Sequence, residues 1–166
     1  LDLITAQQDE TNARTQQIQS YLDWYTVLAR LNLSLGASDN STYTVKTTNS
    51  GVTHYVPNLT ASCTITLPSP VAGLWYEFAY AGVAADAQNW VIDTGSDTNF
   101  YIGGLQFIDN DTDVVAPIAP DGNSNSKLTV VTPDVGTHVR IESANGVTWN
   151  LSGHVGSATI PSFADQ

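Results

Sequence analysis

Residues 63–80, CTITLPSPVAGLWYEFAY, decide the fold. Ile65 and Leu67 alternate with threonines, a break containing Pro68, Pro70 and Gly73 follows, and a second alternating run begins. Apolar residues at every second position are typical of a half-buried strand. The second run carries its apolar side chains at Leu74, Tyr76, Phe78 and Tyr80. The stretch therefore predicts two strands around a turn, with one apolar, aromatic face that lies under a β core.

The same two-residue period continues through most of the chain after the Gly, Ser, Asn and Asp linker at residues 32–41. Turn signals at Asn49-Ser50-Gly51 and Asn145-Gly146 predict hairpins, between residues 42–47 and 52–56 and between residues 136–142 and 147–151. Gly103-Gly104 predicts a bend or bulge. Eight or nine strands are expected, and with the N-terminal segment they predict a mainly β protein: an α-helix followed by an antiparallel β-sandwich or jelly roll. The strands are expected at residues 42–47, 52–56, 63–67, 74–80, 88–94, 99–108, 127–132, 136–142 and 147–151, where 99–108 is one strand made of two short runs, 99–103 and 105–108, on either side of the bend.

Three regions are expected: a stem at residues 1–35, a β domain at 36–156 and a tail at 157–166. Residues 109–126 form a long acidic stretch rich in Pro, Gly and Asn, which we interpret as a contact or specialised loop. The tail shows no period. Ile160 and Phe163 could anchor it on a neighbouring surface.

The stem is predicted to be a helix, because residues 3–31 contain neither Gly nor Pro. Its heptad-like spacing indicates a coiled-coil seam, most simply of three chains, while a single helix packed on the domain or on a partner protein is the alternative. The residues expected to make oligomer or shell contacts are Ile4, Thr11, Ile18, Leu22, Tyr25 and Leu28.

Charge narrows the classes of partner. Sixteen acidic and five basic residues give a net charge of -11, which repels phosphate backbones and anionic lipid heads, so neither nucleic acid nor membrane is expected as a partner. The one cysteine, Cys63, cannot form an intrachain disulfide and is expected to be a buried strand thiol.

Four short segments together resemble a module of tailed-bacteriophage virion proteins, which include head-decoration proteins and fibres. They are residues 43–45 (YTV), 49–51 (NSG), 64–68 (TITLP) and 72–78 (AGLWYEF), and residues 93–95 and 102–103 fit the later part of the module loosely. The resemblance implies a non-enzymatic homotrimer in the virion, assembled in the host cytoplasm, with the major capsid protein or another virion protein as partner. It implies no catalytic residues and no cofactor. A capsid decoration or cement protein is the expectation; a tail-fibre or receptor-binding tip that recognises a host-surface glycan is the alternative.

The strongest enzymatic motif is Asp93-Thr94-Gly95-Ser96, because aspartic proteases hold a catalytic aspartate in such a loop. That chemistry needs two aspartates that share a proton, and the chain carries one copy of the motif, so a homodimer would be required. The same four residues are also common in a turn after a strand. We therefore expect a turn and no enzymatic activity.

The candidate metal ligands are an acidic segment and three histidines. Asp109, Asp111 and Asp113 alternate as in calcium loops, but Val114 and Pro120 occupy the EF-hand positions that need Gly and Glu, which leaves only an irregular calcium site with help from Asp121. Zinc is not expected. The three histidines, expected to face solvent or a subunit contact on separate strands, are His54, His138 and His154.

Aromatic residues raise the possibility of a sugar-stacking platform. The alternation places Trp90 and Trp149 in the core and leaves Trp75, opposite the Leu74 and Tyr76 face, as the better exposed candidate. Tyr55 and Tyr101 complete the candidate set.

Overall fold

The computed structural model describes residues 14–15, 42–82 and 87–166 of the chain. The chain divides into two units, Leu1–Ser34 and Leu35–Gln166. In the first unit only Arg14 and Thr15 are described, and both are helical; the rest of the predicted stem, including its contact residues, lies outside the described residues. The second unit is mainly β. Its strands are β1 Thr42–Thr44, β2 Val52–Val56, β3 Cys63–Thr66, β4 Trp75–Tyr80, β5 Trp90–Asp93, β6 Tyr101–Gly103, β7 Leu105–Asp109, β8 Val114–Ile118, β9 Lys127–Val130, β10 His138–Glu142, β11 Trp149–Gly156 and β12 Ser162–Ala164, with a 3₁₀ helix at Thr47–Asn49.

The strands form two sheets. Sheet A has the order β1-β3-β5-β9-β12, and sheet B has the order β2-β4-β10-β11-β7-β8, with β6 also paired to β11. Both sheets are mixed: β1, β3 and β5 are parallel neighbours in sheet A, whereas β9 and β12 are antiparallel additions. The prediction of a mainly β fold is confirmed, and the prediction of antiparallel sheets is wrong.

The chain passes from one sheet to the other at each of its first four connections. Strands β1, β3 and β5 belong to sheet A, while β2 and β4 belong to sheet B and are parallel to each other. Parallel neighbours need a crossover connection, and here each crossover contains a strand of the opposite sheet. Residues 63–80 therefore supply β3 and β4 to different sheets. The proline-containing segment between them has no backbone donor at Pro68 or Pro70, so it does not continue a ladder and it carries the chain across the core.

Two predicted strand pairings are consequently wrong, and a third is confirmed. β1 and β2 do not form a hairpin around Gly51, and β3 and β4 do not pair with each other. β10 and β11 do form the antiparallel hairpin predicted from Asn145-Gly146. Its turn is fixed by the Asn145 side chain, whose Oδ1 accepts from the backbone amides of Val147 and Thr148 at 2.8 and 2.9 Å.

One hydrophobic core lies between the sheets. The Phe78 ring on sheet B meets the Trp90 ring on sheet A edge to face, with centroids 6.3 Å apart. Trp90 and Trp149 are fully buried, as predicted, and so is the Cys63 thiol. The alternation predicted for the aromatic run is also confirmed, because Tyr76, Phe78 and Tyr80 are buried while the residues between them are half-buried.

Two segments predicted as irregular contain strands. β8 lies within the predicted loop at residues 109–126 and pairs antiparallel with β7. β12 lies within the predicted tail and pairs antiparallel with β9. The bend at Gly103 is confirmed: its φ is +83°, and β6 and β7 on either side of it both pair with β11. Twelve strands are thus present in the described residues.

Candidate functional site

The outer face of sheet B carries a group of interacting polar side chains. Alternation sends every second residue of β4, β10 and β11 to this face, because the intervening residues fill the core. Strand register then sets those outward residues side by side. The cross-strand pairs on this face are Thr53 with Glu77, Glu77 with Arg140, Trp75 with Glu142, and His138 with His154.

Arg140 is the centre of this group. Its Nη1 donates to Oε1 of Glu77 at 3.0 Å, and its Nε donates to Oε2 of Glu142 at 3.2 Å. The guanidinium carbon lies 4.4 Å from the centroid of the Trp75 ring, a cation–π contact. Three neighbours on two strands thus hold a planar side chain that is otherwise flexible. We call Trp75, Glu77, Arg140 and Glu142 the Arg140 cluster.

Glu77 is the most strongly hydrogen-bonded carboxylate of the cluster. Thr53 Oγ1 donates to its Oε2 at 2.8 Å, in addition to the bond from Arg140. These bonds stabilise the ionised form, so the hydrogen bonds from Thr53 and then Arg140 lower the pKa of Glu77, with a smaller contribution from the nearby His138. Glu77 therefore remains a carboxylate at neutral pH, and it acts as an acceptor rather than as a proton donor.

Two histidines continue the outer face beyond the Arg140 cluster. The rings of His138 and His154 lie with centroids 6.1 Å apart and planes 29° apart, and Nε2 of His138 is 3.9 Å from Oε2 of Glu77. Nε2 of His154 is 2.6 Å from the carbonyl oxygen of Gly136. Their predicted solvent-facing position is confirmed. The prediction for His54 is wrong, since its side chain is buried beside Phe78, at a centroid distance of 5.2 Å.

A pocket of about 190 Å³ opens at the end of the Arg140 cluster, where β4 begins and β10 ends. Its lining residues are Gly73, Leu74, Trp75, Glu142, Ser143 and Ala144. The two strand ends are tied together here: Gly73 N donates to Ser143 O and Ser143 N donates to Leu74 O, both at 2.8 Å. By register, Arg140 and Glu77 lie on one side of the Trp75–Glu142 pair and the pocket lies on the other.

The candidate sugar-stacking residues are not brought together. Trp90, Trp149 and Tyr101 are fully buried, and Tyr101 donates its hydroxyl to the Ile92 carbonyl at 3.2 Å. Tyr55 is 56% exposed but lies on β2, away from the pocket lining. Trp75 is half-buried rather than open, and Arg140 contacts its ring. Of the five candidate sugar-stacking residues, only Trp75 lines a pocket that a ligand could enter.

The calcium candidate is not supported by the geometry. The carboxylate of Asp109 accepts from the amides of Asp111 and Thr112 and from the Thr112 hydroxyl at 2.6 Å, so it closes its own turn. Those bonds, the Thr112 hydroxyl first, lower the pKa of Asp109. Asp121 closes a similar turn through Ser124, and its pKa is also lowered. Within residues 14–15, 42–82 and 87–166, no three His, Cys, Asp or Glu side chains are placed to hold a metal ion.

The Asp93 loop is held as a turn. Oδ1 of Asp93 accepts from the Gly95 amide at 2.7 Å and from the side-chain amide of Gln166. Gln166 Nε2 also donates to the Thr94 hydroxyl at 3.2 Å, and Thr94 is buried. The motif that suggested a protease thus links the end of β5 to Gln166. One oxygen of the Asp93 carboxylate, Oδ1, accepts both hydrogen bonds.

The Arg140 cluster was not predicted from sequence. Alternation alone assigns Glu77 and Arg140 to outward positions, but the two residues are 63 positions apart and meet only because β4 pairs with β10. The pocket was likewise unpredicted, since it depends on the same pairing.

Comparisons of the chain with protein-family models, with curated proteins and with solved structures found no match. Among the described residues, no helix combines the length and the apolar character needed to cross a membrane.

Proposed function

We propose that the chain is a non-enzymatic structural protein of a tailed-phage virion, a decoration or cement protein that binds the capsid shell as a homotrimer. The observation that carries the proposal is the placement of the four segments that resemble the phage module. They fall on β1, on the turn before β2, on β3 and on β4, the strands that alternate between the two sheets. The resemblance thus follows one continuous structural unit rather than scattered surface positions.

The chemistry of the described surface is consistent with a binding role. The Arg140 cluster holds the Glu77 carboxylate ionised and hydrogen-bonded, and the Asp93 carboxylate accepts two hydrogen bonds at its turn. A general acid or base needs a group whose proton can move near neutral pH, and the hydrogen bonds that keep Glu77 ionised disfavour that role for it. In this proposal the N-terminal segment joins three copies and contacts the shell, while the β unit faces outward.

Light scattering on the purified full chain tests the oligomer. The expected mass is about three times the 17.7 kDa of one chain. Leu22→Asp together with Tyr25→Asp would place charge in the predicted seam and reduce the mass to that of a monomer, because a buried unpaired carboxylate is costly. Gln17→Asp, which adds charge off the seam, is the control and should remain trimeric. A monomeric wild-type chain at micromolar concentration would contradict the proposal.

Copy number tests the location. In purified particles of the phage that encodes the chain, quantitative mass spectrometry should find hundreds of copies per virion, as expected of a protein spread over a capsid shell. A few copies per virion would instead favour the tail.

A receptor-binding tip of a tail fibre is the second candidate function. The observation that favours it is the pocket at the end of the β4–β10 pair, with Trp75 and Glu142 in its lining. Binding of labelled protein to host cells tests this candidate. A fibre tip should bind host cells and compete with the phage for adsorption, whereas a decoration protein should not change adsorption.

A further inference from the structure

We propose that the pocket beside Trp75 binds one neutral hexose unit of a glycan. This proposal rests on the geometry of the pocket and does not depend on whether the chain belongs to the head or the tail.

The size of the pocket limits the ligand. Its volume of about 190 Å³ is below the roughly 300–1,000 Å³ of sites that hold drug-sized molecules. It is equivalent to about six water molecules at ~30 Å³ each. One small ring fits such a space, whereas an extended chain would contact the pocket only through one of its units.

The lining combines apolar and polar groups in the way that a sugar ring requires. Trp75, Leu74 and Ala144 offer apolar surface for the C–H groups of the ring. Glu142 offers a carboxylate: its Oε2 is bonded to Arg140, and no described residue donates to its Oε1. A ligand hydroxyl can therefore donate to Oε1 in a charge-assisted hydrogen bond.

The charges at the pocket favour a neutral ligand. An anionic sugar would be repelled by Glu142 and by the net charge of -11. A cation would be attracted to Glu142, but the Arg140 guanidinium is already bonded to that carboxylate and already contacts the Trp75 ring. A second cation would therefore lie close to a like charge. A polyol without charge avoids both penalties.

The pocket is also preorganised in the absence of a ligand. Arg140 fixes the Glu142 carboxylate at 3.2 Å, and the backbone bonds between Gly73, Leu74 and Ser143 hold the two strand ends together. Binding then requires little further ordering of side chains, which lowers its entropic cost.

The test is ligand-observed saturation-transfer NMR on the full chain. The probes are the methyl glycosides of glucose, galactose and mannose, with N-acetylneuraminic acid as the anionic probe and methylguanidinium as the cationic probe. At least one neutral hexoside should bind with a Kd on the order of millimolar, as expected for one small ring. That Kd should not change between 50 mM and about 500 mM salt, because no net charge is exchanged.

Variants localise the binding. Trp75→Ala should weaken the bound hexoside about tenfold or more. Because Trp75 also packs against Arg140, a second variant, Ala144→Arg, fills the pocket from an exposed position and should give the same loss with an unchanged melting temperature. Tyr55→Ser removes an exposed aromatic side chain elsewhere on the chain and should leave binding unchanged.

Three results would overturn the proposal. They are no binding by any neutral hexoside at about 10 mM, tighter binding by either charged probe, or equal binding by wild type and Ala144→Arg. None of them bears on the trimer mass or the copy number, so failure here is distinguishable from failure of the virion proposal.

Discussion

The guanidinium carbon of Arg140 lies 4.4 Å from the centroid of the Trp75 ring. The contact joins two strands, and the same guanidinium donates to Glu77 at 3.0 Å. The side chains of Arg140 and Glu77 are 33% and 24% exposed, so water screens the pair in part. The interaction is therefore worth less than a buried ion pair would be, but it also fixes one wall of the pocket.

Arg140→Met should lower the free energy of unfolding by roughly 1 kcal/mol, since it removes a screened ion pair and a cation–π contact. Urea denaturation measures this loss. In a double-mutant cycle with Glu77→Gln, the coupling energy should be about 0.5–1 kcal/mol and should fall at high salt. Arg140→Lys keeps the charge but cannot bond Glu77 and Glu142 with the geometry of a guanidinium. Its free energy of unfolding should therefore lie between those of wild type and Arg140→Met. A coupling energy of zero at low salt would contradict the cluster.

His54 should make stability depend on pH near neutrality. Burial lowers the pKa of His54 from its ordinary 6.5, partly offset by the backbone of Asn49, and neither ring nitrogen makes a hydrogen bond of good geometry with the described residues. The folded state therefore binds the proton less well than the unfolded state. The free energy of unfolding therefore has its full value above pH 6.5, and it decreases as the pH falls from 6.5 through the pKa of His54 in the folded state.

The expected slope below pH 6.5 is at most about 1.4 kcal/mol per pH unit. Urea denaturation at pH 7.5, 6.0 and 5.0 measures it, and His54→Leu should remove most of the dependence in that range. His154→Gln is the matched control, because His154 is half-exposed. The lowered pKa values of Glu77 and Asp109 act only at more acidic pH, as their ordinary values are 4.5 and 3.8. An unchanged pH profile in His54→Leu would contradict this assignment.

Gly153→Ala should destabilise the fold strongly. Gly153 has a φ of +123°, and a Cβ there would collide with the carbonyl oxygen of His138 on the paired strand. Backbone atoms of a central strand cannot move aside without breaking hydrogen bonds of the sheet. We therefore expect the free energy of unfolding to fall by about 3 kcal/mol or more. Gly136→Ala is the control. Its φ is +90° with no atom within 4 Å, so only the conformational penalty of about 1 kcal/mol should remain. Similar losses in both variants would show that β11 can shift.

Asp93→Asn should leave the fold intact, because an amide oxygen can still accept from Gly95 and Gln166. Asp93→Ala removes that acceptor and should cost about 1–2 kcal/mol, measured by thermal denaturation. Peptidase activity in the wild-type chain that disappears in Asp93→Asn would restore the protease alternative. If neither the wild-type chain nor Asp93→Asn has peptidase activity, the result supports the assignment of Asp93 to a structural turn.

The local parts of the fold could be predicted from sequence and the distant pairings could not. Alternation placed Tyr76, Phe78, Trp90 and Trp149 in the core, and Asn145-Gly146 predicted the β10–β11 hairpin, because both signals act over a few residues. His54 shares its face of β2 with buried Val56, so alternation along that strand is the signal that could have placed it in the core.

Sheet membership depends on contacts that no local pattern encodes. An alternating strand has the same sequence whether its partner is the next strand or the one after it, so β3 and β4 read as a hairpin although they lie in opposite sheets. The Arg140 cluster and the pocket depend on the β4–β10 pairing, and they were unpredictable for the same reason.

The alternation of β1–β5 between the sheets also has a consequence for the order in which the chain can fold. During synthesis the first five strands leave the ribosome before β9 and β10, yet each sheet needs one of these later strands beside β5 or β4. The entropy of closing such long loops is lost before the paired strands gain their contacts. Folding should therefore be slow, in the range of milliseconds to seconds. The nascent N-terminal half would expose aromatic residues of both inner faces until its later partners arrive, and chaperone dependence is the expected outcome in the cell.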